Sequence, residues 1–375
     1  MNELEQHKFI VFALDHYNPL GAIRSLGEKG IKPIFIAVKH RAELGSRSKY
    51  LSKLHSVNSV EEGYKILLNE YGNETIKPFL ITCDDRTTGY LDERYDELKN
   101  KFVFFNAGSN GRITNYMDKN NILEIAKKHG LSILETRVLR KGEIPDDLRF
   151  PIITKSISPN VGGWKSDVHI CRNAQELKEA YTRIESPSVL VQKFIDKKNE
   201  LCLDGFCANG GNDFFVGIAS TYKYLIPGYY SPYMDVFEFD NKYVFNALKN
   251  MMTEIGFEGV FSIEFLIDKD DNLWFSEVNF RNSTWSYSST VVGMPLPYLW
   301  ALAMKEGKIP DKSYKHFDKF EAMVEPIDYG KRVDTKKISL AEWLFDFKRA
   351  KCTYYYNELD PKPFDTVIQK WDDLK

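Results

Sequence analysis

Residues 8–38 constrain the fold most. KFIVFAL, residues 8–14, is a continuous apolar run, as in a strand buried on both faces of a parallel sheet. Asp15-His16-Tyr17-Asn18-Pro19 reads as a turn. Residues 20–29 place Leu20, Ile23 and Leu26 on one helical face and stop at Gly30. Residues 31–38, IKPIFIAV, return as a second strand. A strand–helix–strand unit of this kind crosses over right-handed into a parallel sheet.

The pattern continues with a helix near 59–71, a strand over 78–82, an acidic helix near 90–100 and a strand over 102–106. Residues 1–112 are thus expected to form a small doubly wound α/β domain. It lacks the glycine fingerprint of a dinucleotide site. Its strand-end loops, Asp15 to Asn18 and Asp84 to Thr88, lie where such sheets bind ligands, although the same polar residues also serve as helix caps.

Further along, Asp118 is a candidate N-cap for a helix ending at Gly130. Strands are expected at 135–139 and 152–156, then a helix over 174–184 and a strand over 188–194. A hairpin over 200–220 turns at Asn209-Gly210-Gly211-Asn212, and helices follow at 243–255 and 295–305. Residues 306–375 read as a mixed polar region with one amphipathic helix, 340–349.

At 375 residues the chain exceeds a single ordinary core. A hydrophobic share of 43% and an aromatic share of 14% indicate packed domains rather than disorder. The net charge of −2 gives no basic field for nucleic acid. No apolar run is long enough for a membrane span or signal peptide. Five cysteines without metal-ligand spacing fit a reduced, cytoplasmic protein. The lone histidines, His16, His40, His129 and His169, read as helix-end or surface residues.

Residues 259–281, GVFSIEFLIDKDDNLWFSEVNFR, carry the chemistry. They read as two strands joined by a polar turn. A turn around Asp270-Asp271 sets Glu264 opposite Glu277 and Ser262 opposite Asn279, with Phe275, Glu277 and Asn279 on one face. Facing carboxylates repel, and a divalent cation between them removes the objection; hard oxygen donors suit magnesium. The same residues on a solvated face would be ordinary surface acids. A register shifted by one would separate the two carboxylates.

Lys155 ends the apolar strand Pro151-Ile152-Ile153-Thr154. The polar loop after it contains Gly162-Gly163, whose amides suit phosphate. Gln192-Lys193-Phe194-Ile195 suits a hinge along a base edge, and Glu200 suits ribose hydroxyls. The order of these elements resembles the ATP-grasp family over about residues 114–305. The most specific match is Glu264 followed by Glu277-Val278-Asn279-Phe280-Arg281. The whole chain resembles the carboxylate–amine ligase branch, near D-aspartate ligase and carbamoyl-phosphate-synthase-like proteins.

The resemblance implies an α/β chain, α+β in its central part, with an ATP-grasp fold. The expected parts are a pre-ATP-grasp domain (1–112), an ATP-grasp domain (113–305, lid about 118–190, metal-binding part about 191–305) and a C-terminal region (306–375). It also implies ATP and Mg²⁺ as cofactors, with Mn²⁺ as an alternative. Lys119 and Lys155 would contact phosphates, with Lys155 also near adenine. Gln192, Lys193 and Ile195 would line the adenine hinge, and Glu200 would hold ribose. Glu264, Glu277 and Asn279 would ligate metal. Arg281, with Lys155, would act in catalysis on the transferring phosphoryl group or acyl phosphate. The loop 156–167 would close over the triphosphate, although Trp164-Lys165 gives it a bulky cationic tip that departs from the family pattern.

The implied reaction joins a small-molecule carboxylate to an amine through an acyl phosphate and releases ADP and phosphate. A carboxylase, a kinase-like enzyme and a non-catalytic nucleotide-binding protein remain as alternatives. The tyrosine-rich stretch 221–235 is either substrate-facing or an aromatic packing loop, and Tyr222 and Lys223 are its candidate contacts. Asn282 is a candidate for the donor carboxylate pocket. Oligomeric state stays open, a homodimer being the commonest outcome.

Overall fold

The structure, a computed structural model, describes residues 4–40, 43–157, 167–228 and 230–369. Strands β1 (Phe9–Leu14), β2 (Ile34–Val38), β3 (Lys53–Val57), β4 (Phe79–Thr82) and β5 (Val103–Phe104) form a parallel sheet in the order β3-β2-β1-β4-β5. Side-chain alternation divides β1 between two cores. Phe9, Val11 and Ala13 pack with Leu20, Ile23 and Leu26 of helix Tyr17–Gly27, whereas Ile10 and Phe12 pack with Val60, Tyr64 and Leu67 of helix Val60–Tyr71.

The first helix begins at Tyr17, three residues earlier than the apolar pattern indicates. Pro19 sits in its first turn, where a missing N–H costs nothing. The expected helix near 90–100 is two helices, Asp85–Asp92 and Tyr95–Leu98. Asp84 caps the first by accepting from the Thr87 N–H at 2.8 Å. Strand β3 gave no sequence signal because it is a largely exposed edge.

Strands β6 (Thr136–Arg140), β7 (Ile152–Lys155), β8 (Ile170–Cys171) and β9 (Ser188–Lys193) make a small antiparallel sheet in the order β6-β9-β7-β8. The third sheet holds β10 (Asn199–Ala208), β11 (Asp213–Tyr222), β12 (Tyr233–Phe237), β13 (Gly259–Ile267), β14 (Leu273–Asn279), β15 (Phe320–Met323) and β16 (Cys352–Thr353). Its order is β14-β13-β10-β11-β12-β15-β16. Part of the tyrosine-rich stretch is therefore strand β12. The C-terminal region adds β15 and β16 to this sheet.

That region is also bolted to the first domain. Arg24, fully buried, donates Nε to Asp360 Oδ2 at 3.0 Å and its other nitrogens to the carbonyls of Tyr354, Tyr355 and Asp360. Buried Glu325 accepts the backbone N–H groups of Tyr354, Tyr355 and Tyr356. Among the described residues no helix is long and apolar enough to cross a membrane.

Candidate active site

The hairpin β13–β14 pairs Ser262 with Asn279, Ile263 with Val278 and Glu264 with Glu277. Its loop differs from the expected tight turn. Residues 268–272 form a five-residue loop in which the Asp268 carboxylate accepts from the N–H groups of Asp270 and Asn272 and from the Trp274 indole. Those bonds, the indole's first, hold the Asp268 carboxyl down to about 2. This odd-length loop sets Phe265 opposite Phe275, one residue out of register with the acid pair. A β-bulge between Glu264 and Phe265 restores it, with Ser276 as the extra residue. Phe275 consequently lies in the core against Phe265, ring centroids 5.7 Å apart, and not on the Glu277 face as plain alternation requires.

The acid pair stands where two cavities meet. One, of about 850 Å³, is lined by Lys119, Lys155, Gln192, Lys193, Ile195, Glu200, Glu264 and Glu277. The other, of about 660 Å³, is lined by Asn279, Arg281, Tyr222, Ser262 and Ser283 among others. Lys197, Glu200, Gly228 and Glu264 border both. The second cavity opens at the carboxyl ends of β1 and β4, where His16, Asn18, Asp84 and Asp85 line it. β1 and β4 flank the reversal in strand order, the usual ligand crevice of such sheets.

Each cation is placed by local structure. Asp118 caps helix Lys119–Lys128 by accepting from the N–H groups of Asn120 and Asn121. Lys119 Nζ lies 3.7 Å from Glu277 Oε2. Lys155, at the end of β7, donates to Gln192 Oε1 at 2.9 Å, and Gln192 Nε2 donates to Thr136 Oγ1 at 3.0 Å. Burial first, with Lys119 nearby, pushes the Lys155 amine down to about 8 against the pull of Glu277. Arg281 Nε donates to Asp85 Oδ1 at 2.9 Å and Nη2 to Asn279 Oδ1 at 3.0 Å. Asn279 Nδ2 in turn donates to Glu264 Oε1 at 3.0 Å. Burial, then Glu277 and Glu200, raise the Glu264 carboxyl well above the usual carboxylate range. Glu200 is ion-paired with Lys197.

Three expectations change. Lys223 follows Tyr222 at the end of β11, so the two point to opposite faces. Tyr222 lines the 660 Å³ cavity, whereas Lys223 Nζ turns to Glu321 Oε1 at 2.9 Å in a separate recess. Asn282 is buried behind the wall, and its amide donates to Asn18 Oδ1 at 2.9 Å. Ser283, Thr284 and Trp285 supply the lining instead. His16 is at a helix end, half-buried, and lines the cavity; desolvation first, then His40, lowers its imidazole to about 3. Gly162, Gly163 and Trp164-Lys165 lie outside the described residues.

The residue patterns marked Asp85 only as part of the strand-end loop Asp84 to Thr88, and they did not point to Lys197 or Asp204. Only Asp204 carried a usable signal, as an acid inside the otherwise apolar strand β10. Among the described residues there is no cluster of three His, Cys, Asp or Glu side chains suited to a metal. The available donors are two carboxylates and an amide oxygen. That set suits magnesium, which completes its shell with water and phosphate oxygens.

No family model matches the chain. Solved structures do. An N5-carboxyaminoimidazole synthetase from Staphylococcus aureus superposes with TM-score 0.67 at 14% identity, over 88% of this chain and 86% of that one. An L-amino acid ligase from Bacillus licheniformis gives 0.62 at 14% identity over 85% and 80%. The biotin carboxylase domain of the Hydrogenobacter thermophilus 2-oxoglutarate carboxylase, solved with MgADP, ADP and bicarbonate, gives 0.63 at 16% identity over 84% and 74%. The chain has the ATP-grasp fold.

Proposed function

We propose that this protein is an ATP- and magnesium-dependent carboxylate–amine ligase that forms an amide through an acyl phosphate and releases ADP and phosphate. The observation that carries the reading is the directly opposed pair Glu264–Glu277 at the junction of two cavities, with Lys119 and Lys155 on one side and Arg281 on the other. A divalent cation between the two acids would remove their mutual repulsion.

In this reading the 850 Å³ cavity takes ATP. Gln192, Lys193 and Ile195 border the base, Glu200 reaches the ribose, and Lys119 and Lys155 hold phosphates. Glu264, Glu277 and the amide oxygen of Asn279 hold magnesium; Arg281 leaves a second lone pair on that oxygen free. Bound magnesium neutralises phosphate charge and acts as a Lewis acid. Arg281, anchored by Asp85, stabilises the phosphoryl group in flight and the acyl phosphate that results. Phosphorylation turns a poor leaving oxide into a good one. The adjoining cavities would hold the two reactants close together. The amine then attacks the acyl carbon and phosphate departs.

The three-part division at residues 112 and 305, a homodimer and a cytoplasmic setting belong to the same proposal. The five cysteines, all free and buried, support the last. A carboxylase is the second reading, favoured by the likeness to the biotin carboxylase domain above. Nucleotide consumption with pools of amino acids and small carboxylates separates the two. ADP release that needs both an acid and an amine supports the ligase, and release driven by bicarbonate alone favours the carboxylase. Glu277→Ala abolishes turnover with the fold intact; a fully active variant refutes the metal assignment.

A further inference from the structure

One buried carboxylate is not used by the chemistry above. Asp204 sits in β10, completely buried, directly across from Ser262 of β13. A β-bulge beside it shifts the register between β10 and β11, leaving Gly217 without a partner. Gly205 is obligatory there: a Cβ would lie 1.9 Å from the Phe215 carbonyl oxygen. Asp204 Oδ1 accepts the hydroxyl of Ser283 and, at 3.1 Å, that of Ser286, while Ser262 adds to the stabilisation of its charged form. Oδ2 has no hydrogen-bond partner among the described residues. Burial raises the carboxyl to about 6, so it is ionised at pH 8.

Ser262 and Ser283 line the 660 Å³ cavity, and Asp204 lies behind them. A hydroxyl has one proton and two lone pairs. The Ser283 proton is committed to Asp204, and one lone pair accepts the Ser286 N–H at 3.3 Å. What remains for the cavity is an acceptor backed by a buried negative charge. Arg281, on the same cavity, supplies the opposite polarity.

We propose that Asp204 is a specificity-determining positioning residue: through Ser283 it makes this part of the cavity wall read an ammonium group on the substrate, while the substrate's carboxylate faces Arg281. The ligand class is an amino acid with a free ammonium, in preference to the matching 2-hydroxy acid. The inference rests on the ligase reading for taking this cavity as the substrate's. A neutral hydroxyl in the same place leaves the buried charge uncompensated, which is costly in a low-dielectric interior.

The test is calorimetry on the full chain at pH 8, with magnesium and a non-hydrolysable ATP analogue, titrating L- and D-amino acids and their 2-hydroxy-acid counterparts. The wild type is expected to bind at least one amino acid about tenfold or more tighter than its hydroxy acid. Asp204→Asn and Ser283→Ala should each shrink that ratio to about twofold or less, with Tm and nucleotide affinity little changed. If Asp204→Asn does not fold, Ser283→Ala decides alone. The proposal is overturned if no amino acid binds, if the hydroxy acids bind equally well, or if folded variants keep the wild-type ratio. A ratio that is present and lost in the variants, with no ADP ever released under turnover conditions, sinks the ligase reading and leaves Asp204 in its role.

Discussion

Replacing Glu264 with Gln should stabilise the nucleotide-free protein while removing its response to nucleotide. Directly opposed residues in an antiparallel ladder have β-carbons about 5 Å apart. Two unit charges at that separation repel by about 3 kcal/mol at an effective dielectric of ~20. Lys119, 3.7 Å from Glu277, and the field of Arg281 on Glu264 offset part of this. We expect about 1–2 kcal/mol to remain, or a Tm gain of about 2–6 °C. The sign with pH follows from the direction of the shift. Burial, then Glu277 and Glu200, raise the folded-state value of Glu264 above its unfolded value. Its ionisation therefore opposes folding at pH above the folded value, and that cost vanishes below the unfolded value. The gain from Glu264→Gln should be full near pH 9 and nearly absent at about pH 5. Thermal melts at these two pH values, with and without Mg-ATP, read both effects. Wild type should gain stability on adding Mg-ATP and the variant little. A lower Tm for the variant at pH 9, or an equal gain at both pH values, refutes the electrostatic account of the pair.

Three further outcomes follow from individual contacts. Because the Lys155 amine is held at about 8, its charge is lost as pH rises through that value, so ATP affinity measured by calorimetry should fall about tenfold between pH 7 and 9; Lys155→Arg should flatten the profile, and an unchanged profile in that variant contradicts the assignment. Arg281→Lys removes the paired contacts to Asp85 and Asn279 and should cut turnover by about 100-fold or more with Mg-ATP affinity within a few fold, read by steady-state kinetics. Arg24→Ala leaves Asp360 buried and unpaired and should destabilise by about 3–5 kcal/mol, visible as a large drop in thermal midpoint; a drop of a degree or less would show that the C-terminal clamp contributes little.

The elements legible in the sequence were those with strong local signals. Helix Lys119–Lys128 has a capping aspartate and a terminal glycine, Gly130 at φ 86°, and hairpin β10–β11 has its Asn-Gly-Gly-Asn loop. The acid pair was legible because its spacing and alternation are local. The bulge at Ser276 was not, since it depends on the hydrogen bonds of the Asp268 loop and on core packing of Phe275. Strand β3 is exposed, β12 is hidden among tyrosines and prolines, and β15 and β16 are short and paired only at long range. Which way Tyr222 and Lys223 point depends on the register of β11 against its neighbours. Asn282 looked like lining because it follows Arg281, yet the chain turns it toward Asn18.

In the proposed reaction the carboxylate oxygen of the acid attacks the γ-phosphorus of ATP, not the α-phosphorus. The direct measurement uses the acid found by ADP-release screening, labelled with ¹⁸O in its carboxylate, and follows products by ³¹P NMR. Attack at the γ-phosphorus predicts ADP and inorganic phosphate, with one ¹⁸O atom carried from the acid into the phosphate. AMP and pyrophosphate, or phosphate free of the label, would contradict it.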